Sequence, residues 1–321
     1  MSLPWQLPNP FWNLCRPIML AAALTAFFFA CSAVTGQRVA LRLGGVWGNL
    51  WRLTLATLVL GLVVAIFLPG TIETSALPWY FLSGLIGFGI GDVALFLAYE
   101  RLGSRLTILL NLCLAPLFAM AQEWLWLGHS VTARVGFCAL LILGGVVLAL
   151  RPGTNQRQKL ERRGSFGWGI VAALVAGWGQ GTGAVISRKA EAVLVAAGGT
   201  SSGISAAFQR VTAGLVFALL SVLVIRCFFP ASARANWRSP LDRKVAPWLV
   251  GAALFGPVIG VSCFQWALQS LESGIVLAVI ATTPIIMMPL AFLTEGDRPS
   301  RLALLGAAIA VCGVALLNLW A

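Results

Sequence analysis

Apolar residues come in ten long blocks along this chain, near 18–36, 46–68, 77–98, 106–127, 131–150, 166–186, 204–229, 245–268, 274–293 and 302–320. Most are close to the ~20 residues a helix needs to cross the hydrocarbon core of a bilayer. Membrane-spanning strands would instead show alternating segments of roughly ten residues, and none occur. The pattern predicts an all-α membrane protein with ten transmembrane helices.

The blocks form two sets of five. The run "GFGIGDVALFLAYERLG" from Gly87 is echoed by "GPVIGVSCFQWALQSLE" from Gly256. Pro116, His129 and Gly145 return 168 positions later as Pro284, Asp297 and Gly313, while Gly87 and Gly91 return one residue out of step as Gly256 and Gly260. "AFFFACSAVTGQR" also matches "AGWGQGTGAVISR", setting Arg38 opposite Arg188. The first block therefore belongs to the repeat, and no signal-peptide cleavage is expected after it. Five spans per copy, an odd number, turn the second copy upside down. The expected organisation is a first repeat over 1–150, a basic linker over 151–165 and a second, inverted repeat over 166–321. Inverted repeats of this kind build two alternating faces around one central site in many secondary transporters.

Composition agrees: 59% of residues are hydrophobic and 10% charged, a balance unsuited to a soluble chain of 321 residues. The net charge of +12 suggests nucleic acid until its distribution is considered. With ten spans, one face collects seventeen basic residues, among them Arg38, Arg42, Arg101, Arg105 and those of the loops 151–165 and 230–244. The other face collects five: Arg16, Arg134, Arg188, Lys189 and Arg210. The richer face is predicted to be cytoplasmic, both termini then lying outside the cytoplasm, in a plasma (inner) membrane. The charge is thus a topology signal with contact to anionic lipid as a second role, and no nucleic-acid partner is expected. Tryptophans at span ends (Trp47, Trp51, Trp79, Trp124, Trp126, Trp168, Trp248, Trp320) fit interfacial anchoring.

The seven cysteines are scattered without a CxxC pair, and His129 is the only histidine. They read as packing residues, and no metal or other cofactor is expected. No ATP-binding motif is present, and the "GxG" strings lie inside apolar spans with no preceding strand, unlike a nucleotide loop.

The order "GFGIGDVALFLAYERLG … AP … LGH … LILGGV", repeated as "GPVIGVSCFQWALQSLE … TTP … EGD … AVCGV", resembles the EamA branch of the drug/metabolite transporter superfamily. "GNLWRLTLATLVLG" and "AAFQRVTAGLVFAL" look like that family's second and seventh helices. The resemblance runs from about residue 18 to 320. It implies ten helices in two inverted five-helix repeats and movement of small metabolites. The family usually carries a glutamate after the glycine at the ends of helices 4 and 9, where this chain has His129 and Asp297. Relatives often keep both termini in the cytoplasm, opposite to the charge count here.

Several residues are candidates for substrate or coupling chemistry. Asp92, in "GIGD", is the most central acid of any span. A charge at that depth costs about 3 kcal/mol on insertion scales, so Asp92 must face the interior. It serves proton coupling or a substrate amine, or else bonds Arg52 or a hydroxyl structurally. Its repeat counterpart is Val261. Arg52 and Arg210 open spans 2 and 7, to bind an anionic substrate group, to serve as gate residues or to act as snorkelling anchors. Pro116 and Pro284 each free a carbonyl four residues earlier, Leu112 and Ile280, which protein, water or ligand must satisfy; nearby Asn111, Thr282 and Thr283 offer polar contacts. Trp178 and Gln180 in span 6, with Gln265 and Trp266 in span 8, offer an aromatic face beside an amide. The glycine pairs 177/181, 179/183, 87/91 and 256/260 have the spacing for close helix approach. Glu123 and Glu295 read as interfacial.

The leading reading is a secondary transporter of an amino acid or related amphipathic solute, by alternating access and in the export direction. A lipid flippase or non-transporting scaffold is the alternative. "GIGD" also fits the GxGD signature of an intramembrane aspartyl protease, but that chemistry needs two facing carboxylates. Asp242 lies in a basic loop, Asp297 at a span end, and Val261 at the repeat position. The expected partners are a small-molecule solute and the lipid bilayer, and a chain with both repeats can work as a monomer.

Overall fold

The computed structural model describes residues 10–72, 74–127, 133–149, 166–228, 242–271, 273–296 and 300–320. Among these, all regular structure is helical. The first half holds α1 (Pro10–Leu43), α2 (Gly45–Phe67), α3 (Leu77–Gly84), a π-helical segment π1 (Leu85–Gly91), α4 (Asp92–Leu127) and α5 (Ala133–Ala149). The second holds α6 (Phe166–Ala196), α7 (Gly203–Phe228), α8 (Ala246–Ala253), π2 (Leu254–Gly260), α9 (Val261–Ser270), α10 (Ser273–Ile280), α11 (Thr283–Glu295) and α12 (Arg301–Trp320). Every apolar block of the sequence falls on one of these helices or on a linked series of them.

Six described helical segments are long and apolar enough to cross a membrane: Met19–Leu43, Gly45–Phe67, Leu77–Gln122, Phe166–Ala196, Gly203–Phe228 and Ala246–Ser270. Shorter apolar helices cover Gly136–Ala149, Thr283–Thr294 and Arg301–Leu316. A straight helix of 46 residues over Leu77–Gln122 would be about 69 Å long, more than twice the ~30 Å hydrocarbon core. Gly103 breaks it with φ 79° and ψ 173°, a conformation open to glycine because it lacks Cβ. Large apolar side chains such as Phe67, Leu140, Phe228 and Leu293 point outward, as lipid-facing residues must. The protein is an integral, multi-pass membrane protein.

The two halves interleave. The most extensive helix contacts join α4 to α6, α5 to α12 and α2 to α7, while α1 packs on α8, π2, α9 and α11. Small residues make these approaches possible. A Cβ on Gly145 would come within 2.6 Å of the Gly306 carbonyl, and one on Gly306 within 2.6 Å of the Gly145 carbonyl. On α6, Gly177 and Gly181 face the α4 backbone at Asn111 and Ala115, whereas Gly179 and Gly183 face π1 and Ser83. Gly84 meets the Arg210 backbone so closely that any Cβ there would run into the Arg210 carbonyl.

Polar groups at the helix ends are used within the protein. The Glu100 carboxylate accepts the Gly45 amide at the start of α2, a favourable place for negative charge. Arg38 donates to the Thr294 carbonyl near the end of α11. Arg188, its counterpart in the repeat, donates to the carbonyls of Leu268 (3.1 Å) and Leu271 (2.7 Å) at the end of α9. Three of the span-end tryptophans lie under cations: Trp248 under Arg38, Trp79 under Lys189 and Trp47 under Arg226.

Candidate functional site: a central cavity between twin arginines

Arg52 and Arg210 occupy the same register, each seven residues beyond the glycine that starts its helix. That places them about 10 Å along α2 and α7, roughly two turns in from the helix start. Both are buried, at 4% and 2% exposure, an arrangement unlike that of a snorkelling anchor, whose head stays in water. Each guanidinium is pressed against the π-helical segment of the opposite half. Arg52 Nη1 lies 3.1 Å from where a Cβ on Gly256 of π2 would stand, and Arg210 Nη2 lies 3.2 Å from the same point on Gly87 of π1. The glycines leave room for the cations, and π-helical turns recur at functional sites.

Their partners differ. Arg52 donates to an Asp92 carboxylate oxygen and to Asn49 Oδ1 at 3.2 Å, with its guanidinium 4.8 Å over the Phe96 ring. Arg210 donates from Nη1 to Gln265 Oε1 at 2.8 Å and lies over the rings of Phe88 (5.2 Å) and Phe264 (5.9 Å). Gln265 in turn donates to the Ser187 hydroxyl at 3.4 Å. The Ser187 and Ser83 hydroxyls share a 2.9 Å hydrogen bond, and Ser83 donates to the Gly183 carbonyl at 2.6 Å. This chain ties α3, α6, α7 and α9 together on one side of Arg210.

Between the arginines lies a cavity of about 50 Å³. Its polar lining includes Arg52, Asp92, Arg210, Asn111 and Gln180. Phe29, Phe88, Leu95, Val261 and Phe264 supply apolar walls. Asn111 is 5% exposed and its side-chain oxygen has no hydrogen-bond partner.

The structure thus gathers Asp92, Asn111, Gln180, Arg52 and Arg210 at one site, with Gln265 directly behind Arg210. Other expected residues lie elsewhere. Trp178 is half-buried and outside the cavity lining. Trp266 is 45% exposed and lines a separate groove of about 610 Å³ with Leu60, Val63, Ile204 and Val258. Successive helical residues point ~100° apart, so Gln265 and Trp266 cannot both face the centre. Thr282 and Thr283 spend their hydroxyls on the carbonyls of Val279 and Ile280, at 2.6 Å and 2.5 Å. The Ile280 carbonyl left over by Pro284 is therefore satisfied within the protein, where α10 gives way to α11. Pro116 sits inside α4, which runs through it to Leu127.

His129, Asp297, the linker 151–165, most of the loop 230–244 and the chain ends fall outside the described residues. So do the side chains of Glu123 and Glu295. No described group of histidine, cysteine, aspartate and glutamate is placed to hold a metal ion. Val261 shares the cavity with Asp92, so no second described carboxylate faces Asp92 for aspartyl-protease chemistry. Sequence reading missed Ser32, Tyr99 and Phe264 as cavity residues.

The sequence profile of the EamA-like transporter family matches residues 16–151 and again 167–319. The chain belongs to the EamA-like transporter family. This EamA-like protein is similar to a probable terminal-alkyne amino-acid exporter of Streptantibioticus cattleyicolor, 28% identical over 300 residues that cover 93% of this chain and 92% of the relative. A solved crystal structure matches it with TM-score 0.63 over 94% of this chain and 96% of its own, at 17% identity, a likeness of fold. As a member of a transporter family, the EamA-like protein has a small-molecule solute as its partner.

Proposed function

We propose that this protein is a secondary transporter that exports an amino acid or a related amphipathic solute across the plasma membrane by alternating access. The observation that carries the reading is the arginine pair, each deep in an equivalent helix and each seated on the π-helical turn of the opposite half around one cavity. Such exchange of parts supports ten crossings arranged as two inverted five-helix repeats, with 151–165 as the connecting linker. The amino-acid exporter among its relatives supports both solute class and direction. At about 50 Å³ the cavity is well below the ~300 Å³ at which small-molecule sites begin. The helices around it must part to admit a solute, which is the movement alternating access requires. Arg52 and Arg210 lie mid-helix and leave the topology count; the remaining sixteen cations against four still favour cytoplasmic basic loops and external termini.

The test compares metabolites inside and outside cells overproducing the wild type or Asp92→Asn. A solute that accumulates outside with the wild type and not with the variant supports export through this site. Equal accumulation with both keeps transport and reduces Asp92 to a scaffold. No change in any amino acid or related solute sinks the reading. The separate groove beside Trp266, largely apolar, favours lipid handling as the second reading, and a scramblase assay with fluorescent phospholipid in proteoliposomes decides it.

A further inference from the structure

The charges around the cavity do not balance. Its lining holds two guanidinium groups, Arg52 and Arg210, and one carboxylate, Asp92. Asp92 is engaged by Arg52, which also bonds Asn49. Among the described residues, the ion pairs are Arg52 with Asp92 and Arg101 with Glu100, so Arg210 has none. Its contacts are one neutral amide acceptor, Gln265, and the faces of Phe88 and Phe264. Its Nε has no hydrogen-bond partner at all. The reason is visible in the repeat. Where the first half provides Asp92 for Arg52, the second half provides Val261, buried and lining the same cavity. Asp92 lines the same cavity but is bonded to Arg52, and a buried cation with no carboxylate in direct contact is an unfavourable arrangement in a protein interior, and more so at membrane depth.

Resting on the transporter reading above, we propose that the solute supplies this missing charge: the site selects solutes bearing a carboxylate, which Arg210 holds, and rejects those whose only charge is positive. The planar guanidinium offers a fork of donors suited to a carboxylate. Asn111 lines the same cavity, and its unpartnered oxygen is the acceptor for the solute's N–H groups. Asp92 is left as the fixed partner of Arg52 and does not serve as the ammonium site of a cationic drug.

The test varies the ligand rather than the protein first. Purified wild type in detergent is titrated with N-acetyl-L-leucine (net charge −1), L-leucine (zwitterion) and L-leucinamide (+1), with thermal stabilisation as the readout. The two acids are expected to bind about tenfold to a hundredfold more tightly than the amide, the range set by charge-assisted hydrogen bonds. Arg210→Gln is expected to erase that order and Arg210→Lys to restore part of it. Wild-type binding of the amide as tight as that of L-leucine overturns the proposal, even if Arg210→Gln fails to fold. Binding of none of the three overturns it as well. Counterflow of radiolabelled L-leucine in proteoliposomes separates the two readings. Flux without charge order keeps the transporter and removes the selectivity. Charge order without flux keeps the anion site and removes the transporter.

Discussion

Asp92→Asn removes one charge from a pair whose side chains are 14% and 5% exposed while keeping the side chain's size. Arg52 would then remain buried with neutral acceptors only, Asn49 and the amide of the substituted side chain, and the Phe96 face, and the cavity would hold two uncompensated cations. Breaking a buried pair by removing one partner costs about 3–5 kcal/mol. At roughly 2 cal/mol/K per residue of unfolding entropy, a chain of 321 residues changes by about 0.7 kcal/mol/K. The expected fall in melting midpoint is therefore about 4–7 °C, measured by tryptophan fluorescence in detergent. Helices that persist in micelles lower the entropy and enlarge the shift. The double variant Arg52→Gln/Asp92→Asn removes both charges, so its loss should be smaller than the sum of the two single losses by a coupling of at least about 1 kcal/mol. Strict additivity of the two single variants would refute the pairing argument, whatever the size of each effect.

Three further outcomes are expected. Gly306→Leu puts a side chain against Ala149 and the Gly145 carbonyl and should abolish folded, monodisperse protein by size-exclusion chromatography, whereas Gly136→Ala, with open space around it, should be neutral. Thr283→Val withdraws the hydroxyl from the Ile280 carbonyl and should lower stability by about 1–3 kcal/mol, with Thr283→Ser recovering most of it in the same thermal assay. Trp266→Ala should leave export of the solute unchanged in cells, because Trp266 lines the separate groove; a loss equal to that of Arg210→Gln would show that the groove belongs to the path.

The helices themselves were legible because each apolar block is long, and the glycine spacings marked the contacts of α6 with α4 and π1 that the structure shows. Asp92 was legible too, since an acid in the middle of an apolar block has to face inward. Arg52 and Arg210 were read at half their meaning. Near the edge of an apolar block, a cation that snorkels and one that turns inward look alike in sequence, and only the glycines of the opposite half decide between them. The amide and aromatic pair in span 8 misled because neighbours in sequence are not neighbours on a helix face. Thr282 and Thr283 looked like ligand contacts, yet their hydroxyls are taken by backbone carbonyls, Thr283's by the Ile280 carbonyl that Pro284 leaves over. The π-helical turns had no periodic signature, because one wide turn shifts phase without changing composition.

The interleaving of the halves bears on how the chain is made. The surfaces that α2, α4 and α5 present to α7, α6 and α12 are completed by segments translated later. During synthesis the first half must wait in the bilayer with its glycine faces and the Arg52–Asp92 pair covered only by lipid or insertion machinery. Folding is thus committed late, when α12 emerges and closes on α5. A truncation after α11 should be cleared by proteolysis almost as fast as one after α5, despite containing most of the sequence.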